Sequence, residues 1–308
     1  MKQQYQGLYI PTQDGLLHPT PFDPLTQTGF LGDLTWVHQK TYAPDVWVLI
    51  HGFELDPGRS LPAQFAPDAM SDLANPHGKL YHFMEFPEET QEECHCTSWP
   101  LRLGLHPDGP IDGIGFGWES DATVLDAMRL NCYRTAYDWG TEAAVSLAQV
   151  VRQIPARINF LVHSLGSHVV NECLQLLEPT QVQIGNVVVL SGAEVSSKMQ
   201  GTVERHPTTR FINLVNRQDM VIKWLAENFS EDNETHCLGY SGLQCEMPNW
   251  LDLEISSEAI QEQARHLGFN LKSEADLVSV FAGETRMNHW VSYTHADNLR
   301  YALTFIQK

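Results

Sequence analysis

The stretch from Ile158 to Leu177 constrains the fold more than any other part of the chain. The apolar run Ile158 to Val162 (INFLV) passes without a spacer into His163-Ser164-Leu165-Gly166. Beyond that turn Val169, Cys173, Leu174 and Leu177 recur at helical spacing until Pro179. Apolar residues interrupted only by Asn159 suit a strand, and a proline cannot continue a helix. A strand of this kind needs neighbours on either side and helices above it. Further apolar runs supply them: Val46 to Ile50, Val187 to Leu190 and Phe211 to Val215. Ile111 to Trp118 adds a strand that alternates Ile114, Phe116 and Trp118 with glycine. Between these runs, Ala144, Leu147, Val151 and Ile154 mark a helix over Thr141 to Ile154, stopped by Pro155. Asn298 to Ile306 forms the last helix, with Thr294 and Asp297 at capping-box spacing before it. Strands alternating with helices predict an α/β fold with a mostly parallel sheet flanked by helices.

No repeat, low-complexity tract or Gly/Ser linker divides the 308 residues. The expectation is one domain, 1–308, with insertions at 54–110 and 223–288, the second containing a helix from Ser257 to Leu267 and able to act as a lid. Thirteen Phe, nine Tyr and eight Trp argue against a disordered chain. A formal charge of −19 repels phosphate backbones and anionic lipid, which disfavours nucleic acid and anionic membrane as partners. The longest apolar stretches are about five residues, against about 18 needed to span a bilayer. No secretory signal pattern follows Met1, and the six cysteines contain no C-x-x-C pair, so a cytoplasmic protein with reduced thiols is expected. For the same reason the sequons at Asn228 and Asn233 carry no weight. A zinc module built on Cys94, His95, Cys96, Cys237 and Cys245 is an alternative, although its spacing is not a standard tetrahedral pattern. Oligomeric state is left open by the sequence.

A serine hydroxyl is a feeble nucleophile at neutral pH, so acyl transfer needs a base within hydrogen-bond reach and a carboxylate to orient that base. A tight strand-to-helix turn lifts the serine above a sheet and aims the amides of the following helix at a reacting carbonyl. Val162-His163-Ser164-Leu165-Gly166 has that placement. Here the chain resembles the α/β-hydrolase superfamily, and within it the bacterial esterase and lipase-like members with an H-S-x-G turn. The likeness runs from Val46 to the C-terminus. It departs from the family in one place, where Val162 replaces the usual Gly two residues before the serine.

The resemblance implies Ser164 as nucleophile, Asp219 as the acid after the Phe211 strand, and His289 as the base in a late loop. It places the oxyanion hole at the backbone N–H groups of Phe53, which follows His51-Gly52, and of Leu165. The implied reaction is cleavage of a small-molecule carboxylic ester through an acyl-enzyme, with no cofactor and no metal. A hydrolase-shaped binding or scaffold protein with an idle triad is the alternative. Glu194 and Asp232 compete with Asp219, and His295 competes with His289. His51, His163 and His168 flank the motifs as packing residues. Trp118 and Glu119 resemble a tryptophan-containing turn of the same hydrolases and read as packing. Trp99, Phe83, Phe86, Trp224, Phe229 and Trp250 are candidates to line an acyl pocket.

Overall fold

The computed structural model describes residues 40–53, 97–106, 110–118, 120, 129–229, 236–274, 277–280, 283–286 and 288–306, with Val37 and short strand segments among the first 29 residues. Eight strands form the main sheet: β1 Leu8–Gln13, β2 Leu16–Leu17, β3 Tyr42–Ile50, β4 Ile111–Gly117, β5 Arg157–His163, β6 Ile184–Leu190, β7 Arg210–Val215 and β8 Trp250–Glu254. Their order across the sheet is β8-β7-β6-β5-β3-β4-β1-β2. Strands β3 to β8 are all parallel, β1 extends the edge in parallel with β4, and β2 returns antiparallel. This is an α/β fold, as the alternation of apolar runs predicts.

The helices are α1 Trp99–Leu103, α2 Arg129–Val151, α3 Gly166–Leu176, α4 Ser196–Arg205, α5 Met220–Phe229, α6 Leu238–Ser241, α7 Glu258–His266, α8 Val291–Thr294 and α9 Ala296–Leu303. They cover both faces, so each central strand is apolar on both sides. Val46, Val48 and Ile50 of β3 join Phe160, Val162, Val187 and Val189 in one core with residues of α2, α3 and α4. Trp47, Leu49, Leu161, Val188 and Leu190 point the other way, into a second core with Ala264 of α7 and Leu299, Tyr301 and Ala302 of α9. Full burial of each such side chain contributes about 1.5–3 kcal/mol, and that contribution holds the strand ends in register. Among the described residues, no helix is long and apolar enough to cross a membrane.

Three local expectations are corrected. Helix α2 begins at Arg129, well before Thr141, because Tyr133 and Ala136 continue its buried face. Gly140 does not interrupt it. A Cβ there would lie 3.0 Å from the His168 ring, so the glycine lets α2 approach α3 closely. Within 223–288, Trp250–Glu254 pairs in parallel with β7 and α7 packs on the second core, so this stretch is not an excursion throughout. At the sheet edge only Trp250 and Leu253 of β8 are buried and Asp252 and Glu254 interrupt its apolar residues, which hides it from a search for unbroken apolar runs. Finally, α9 starts at Ala296 with His295 at its N-cap. The capping box does not form, because Thr294 Oγ1 donates to Trp290 O at 3.1 Å and Asp297 Oδ2 accepts from Asn270 N at 2.9 Å. Residues 54–96 of the first insertion lie outside the described residues.

Candidate active site

Ser164 follows β5 directly and is 3 % exposed. Its φ of 51° lies in the left-handed region, which for a non-glycine residue is strained by about 1–3 kcal/mol. The turn can form only because glycines surround it. A Cβ on Gly166 would sit 2.6 Å from His51 O and 2.8 Å from Ile50 O, so only glycine lets the start of α3 cross the end of β3. A Cβ on Gly52 would sit 2.8 Å from Ser164 Cβ, which puts the backbone of residue 52 against the serine side chain. Val162 lies within β5 in extended backbone, pairs with Ile50 and Val189, and is fully buried. A β-branched side chain is at home there.

Asp219 and His289, 70 residues apart, meet. His289 Nδ1 donates to Asp219 Oδ2 at 2.8 Å, with the aspartate side chain fully buried and the imidazole 7 % exposed. The other carboxylate oxygen, Oδ1, accepts from Val221 N and Ile222 N, both at 3.1 Å. One side chain thus caps α5 and orients the imidazole. Asn288–Trp290 forms a single 3-10 turn that carries His289. His163, the residue before Ser164, bonds through Nε2 to His289 O at 3.3 Å, and the two rings pack with centroids 4.6 Å apart. Ser191 at the end of β6 adds a second tie by donating to Ser292 Oγ at 3.1 Å. The segment carrying His289 is therefore fastened to the ends of β5 and β6. Among the described residues the Ser164 hydroxyl forms no hydrogen bond.

The loop after β3 is equally fixed. The His51 ring stacks on Trp118, with centroids 5.6 Å apart and an interplanar angle of 10°. Trp118 N donates to His51 Nε2 and Trp118 Nε1 to His51 O, both at 3.2 Å. His51 Nδ1 donates to Gly52 O at 2.8 Å, and Ser120 Oγ donates to the same carbonyl at 2.9 Å. With that loop pinned, the N–H groups of Phe53 and Leu165 donate to no group among the described residues.

This packing has a consequence for acid stability. Burial pushes the His51 imidazole down to about 3 from an ordinary 6.5, against a smaller raising effect of the Gly52 carbonyl. Above the unfolded value both states hold a neutral ring, and the stabilisation is fully present. As pH falls from 6.5 toward 3 the unfolded chain takes up a proton that the folded one refuses, which costs roughly 1.4 kcal/mol per pH unit. Urea titrations between pH 7 and 4 should show uptake of at least one proton on unfolding at pH 5. A stability that does not change over that range would refute the neutral, buried ring.

The competing residues fall elsewhere. Glu194, fully buried, pairs with His168 instead of His289: Oε2 accepts from His168 Nδ1 and Asn171 Nδ2, both at 2.9 Å. Its Oε1 accepts from Tyr137 OH at 2.9 Å and Val195 N at 2.8 Å. Burial alone would raise this carboxyl, and His168 with the surrounding donors more than offsets that and holds it below the ordinary value. His168, Glu172 and Glu194 bring ligand atoms within 4.8 Å of one another, but four protein donors already occupy both Glu194 oxygens, which marks a satisfied hydrogen-bond network. His295 bonds through Nε2 to Asn270 O at 2.7 Å, away from Asp219.

Cys173, Cys237 and Cys245 are free thiols, and among the described residues no other group of metal-ligating side chains forms. Trp99 and Trp250 are core residues, whereas Trp224 is 44 % exposed on α5. Cys94, His95, Cys96, Phe83, Phe86, Glu119, Asp232 and Asn233 lie outside the described residues, as do the side chains of Asn228 and Phe229. Ser167 and Ser120 are groups of the site that sequence patterns missed. Both are small hydroxyls whose partners come from other elements, and no local spacing marks them. No protein-family model matches the chain, and no curated protein matches its sequence.

Proposed function

We propose that the chain is a serine hydrolase of the α/β-hydrolase type that cleaves small-molecule carboxylic esters through an acyl-enzyme. The observation that carries this reading is the buried 2.8 Å contact between His289 Nδ1 and Asp219 Oδ2, with the His289 ring packed on His163, the residue before a serine in a left-handed strand-to-helix turn. With Nδ1–H committed to the carboxylate, Nε2 carries the lone pair that a general base needs. Ser164 Oγ attacks the ester carbonyl and its proton passes to His289 Nε2. The carbonyl oxygen takes up the negative charge and accepts from the amides of Phe53 and Leu165, each such donor being worth about 10²–10³ in rate. His289 then returns the proton to the departing alkoxide, and water, activated by the same imidazole, releases the acid. The hydrogen bond from serine to imidazole closes when substrate binds, because catalytic hydrogen bonds are commonly long in the free enzyme. The chain order serine, aspartate, histidine also supports this class.

A fluorophosphonate probe tests the reading. Wild-type protein should be labelled at one site and Ser164→Ala should not react. Labelling that survives the substitution removes the nucleophile, and with it the mechanism.

A further inference from the structure

The Ser164 carbonyl is held by three donors. It accepts from Ser167 N and Ala193 N, both at 3.0 Å, and from Ser167 Oγ at 2.6 Å. On the other side of the residue, Ser164 N donates to Leu190 O at 3.0 Å. The peptide groups before and after the Ser164 Cα are therefore both fixed, and together they impose the φ of 51° that the chain would otherwise leave. Ser167 is the only side chain in this set. Its hydroxyl donates to Ser164 O and accepts from Glu194 N at 2.9 Å, so both of its roles are used in a position with no solvent exposure. Glu194 is in turn immobile, its carboxylate gripped by His168, Asn171, Tyr137 and Val195. A Cβ on Gly192 would come within 3.2 Å of Ser167 Oγ, so the β6–α4 loop closes directly over this hydroxyl.

We propose that Ser167 is a positioning residue for the nucleophile: its hydroxyl, anchored by the backbone of Glu194, holds the strained Ser164 turn in its reactive conformation. The inference rests on Ser164 being the nucleophile. Without the hydroxyl the Ser164 carbonyl loses its shortest donor, the turn relaxes toward negative φ, and Oγ is displaced from the position that the left-handed turn gives it. Misplacing a reacting atom by about 1 Å can cost about 10²-fold in rate, whereas substrate affinity depends on other groups.

The test compares rates of fluorophosphonate labelling and of p-nitrophenyl ester turnover in wild type, S164A, S167A, S167T, S167V and T209V. Thr and Val have the same shape and differ by the hydroxyl. T209V removes a buried hydrogen bond to Ile184 O, 3.1 Å long, far along the chain from the turn, and controls for lost stability. S167A and S167V should label roughly 10- to 100-fold more slowly and show a matching fall in kcat with KM unchanged, while S167T stays within about threefold of wild type. T209V should react at the wild-type rate. Equal rates for S167T and S167V, with wild type still reacting only through Ser164, overturn the positioning role alone. Reaction that persists in S164A overturns the nucleophile reading instead. Should S167A fail to fold, the S167T and S167V pair decides the question by itself.

Discussion

His289→Ala should lower turnover of a short p-nitrophenyl ester by on the order of 10⁶-fold, about 8 kcal/mol of transition-state stabilisation, with KM little changed. The size follows from what the imidazole does. In the proposed mechanism it takes the proton of Ser164 as the carbon–oxygen bond forms and delivers it to the leaving group, and no other imidazole among the described residues bonds to Asp219. His163 lies beside it but bonds through Nε2 to a main-chain carbonyl, and His295 bonds to Asn270 O. Alanine also strands a fully buried carboxylate oxygen that now accepts from the ring. Part of any loss could therefore be stability, since an unsatisfied buried polar group costs about 1–3 kcal/mol or more. His289→Gln separates the two effects. Its amide can still donate toward Asp219 and should restore the melting temperature without restoring turnover. Activity within tenfold of wild type in either variant would eliminate His289 as the base.

Asp219 gives the second large effect, with a signature of its own because its two oxygens do different work. Asp219→Asn keeps an acceptor for Val221 N and Ile222 N, so the cap on α5 survives and thermal stability should barely change. Its amide nitrogen, however, faces His289 Nδ1, where a donor cannot be received by another N–H. The ring must take the opposite tautomer, with its proton on Nε2, and it can no longer accept from Ser164. By analogy with triads altered in this way, kcat should fall about 10⁴-fold. Asp219→Ala should lose a comparable factor and in addition about 1 kcal/mol of capping energy, a drop of about 2 °C in melting temperature for a chain of this size. Matched activity with unmatched stability is the result to look for by kinetics and calorimetry. A D219N variant that keeps a tenth or more of wild-type kcat would show that the contact with His289 does not set the tautomer.

The elements that could be read in the sequence are those whose signal is local. The runs at Val46, Ile158, Val187 and Phe211 lie in parallel strands because successive apolar residues must be buried on two faces at once, and Ser164 stands between strand and helix because its flanking periods change from one to the other at that point. Strand β8 went unread because it lies at the sheet edge with two acids among five residues, and Trp250-Leu-Asp-Leu-Glu254 does not stand out from a loop. The capping box failed for a related reason: the spacing is local, but Asp297 found a better donor in Asn270 N, supplied by another part of the chain.

The site divides along the same line. The resemblance implied a serine, an acid after a late strand and a late histidine, and those three expectations need only the positions of strand ends. Which acid joins which histidine is another matter. Glu194 and Asp219 both follow central strands, and His168, His289 and His295 all lie near strand or helix ends. Only the stacking of β5, β6 and β7 side by side sends Glu194 to His168 beneath the turn and Asp219 to His289 above it. A hydrogen bond is decided over less than 1 Å, and no pattern along a chain specifies position that finely. The sequence determined that a hydroxyl would sit on a sharp turn at the end of a buried strand, since burial and periodicity act between near neighbours. Only the folded sheet decided which carboxylate and which imidazole would flank it, and that the turn would be clamped by Ser167, because these pairings exist only once distant strands are packed against each other.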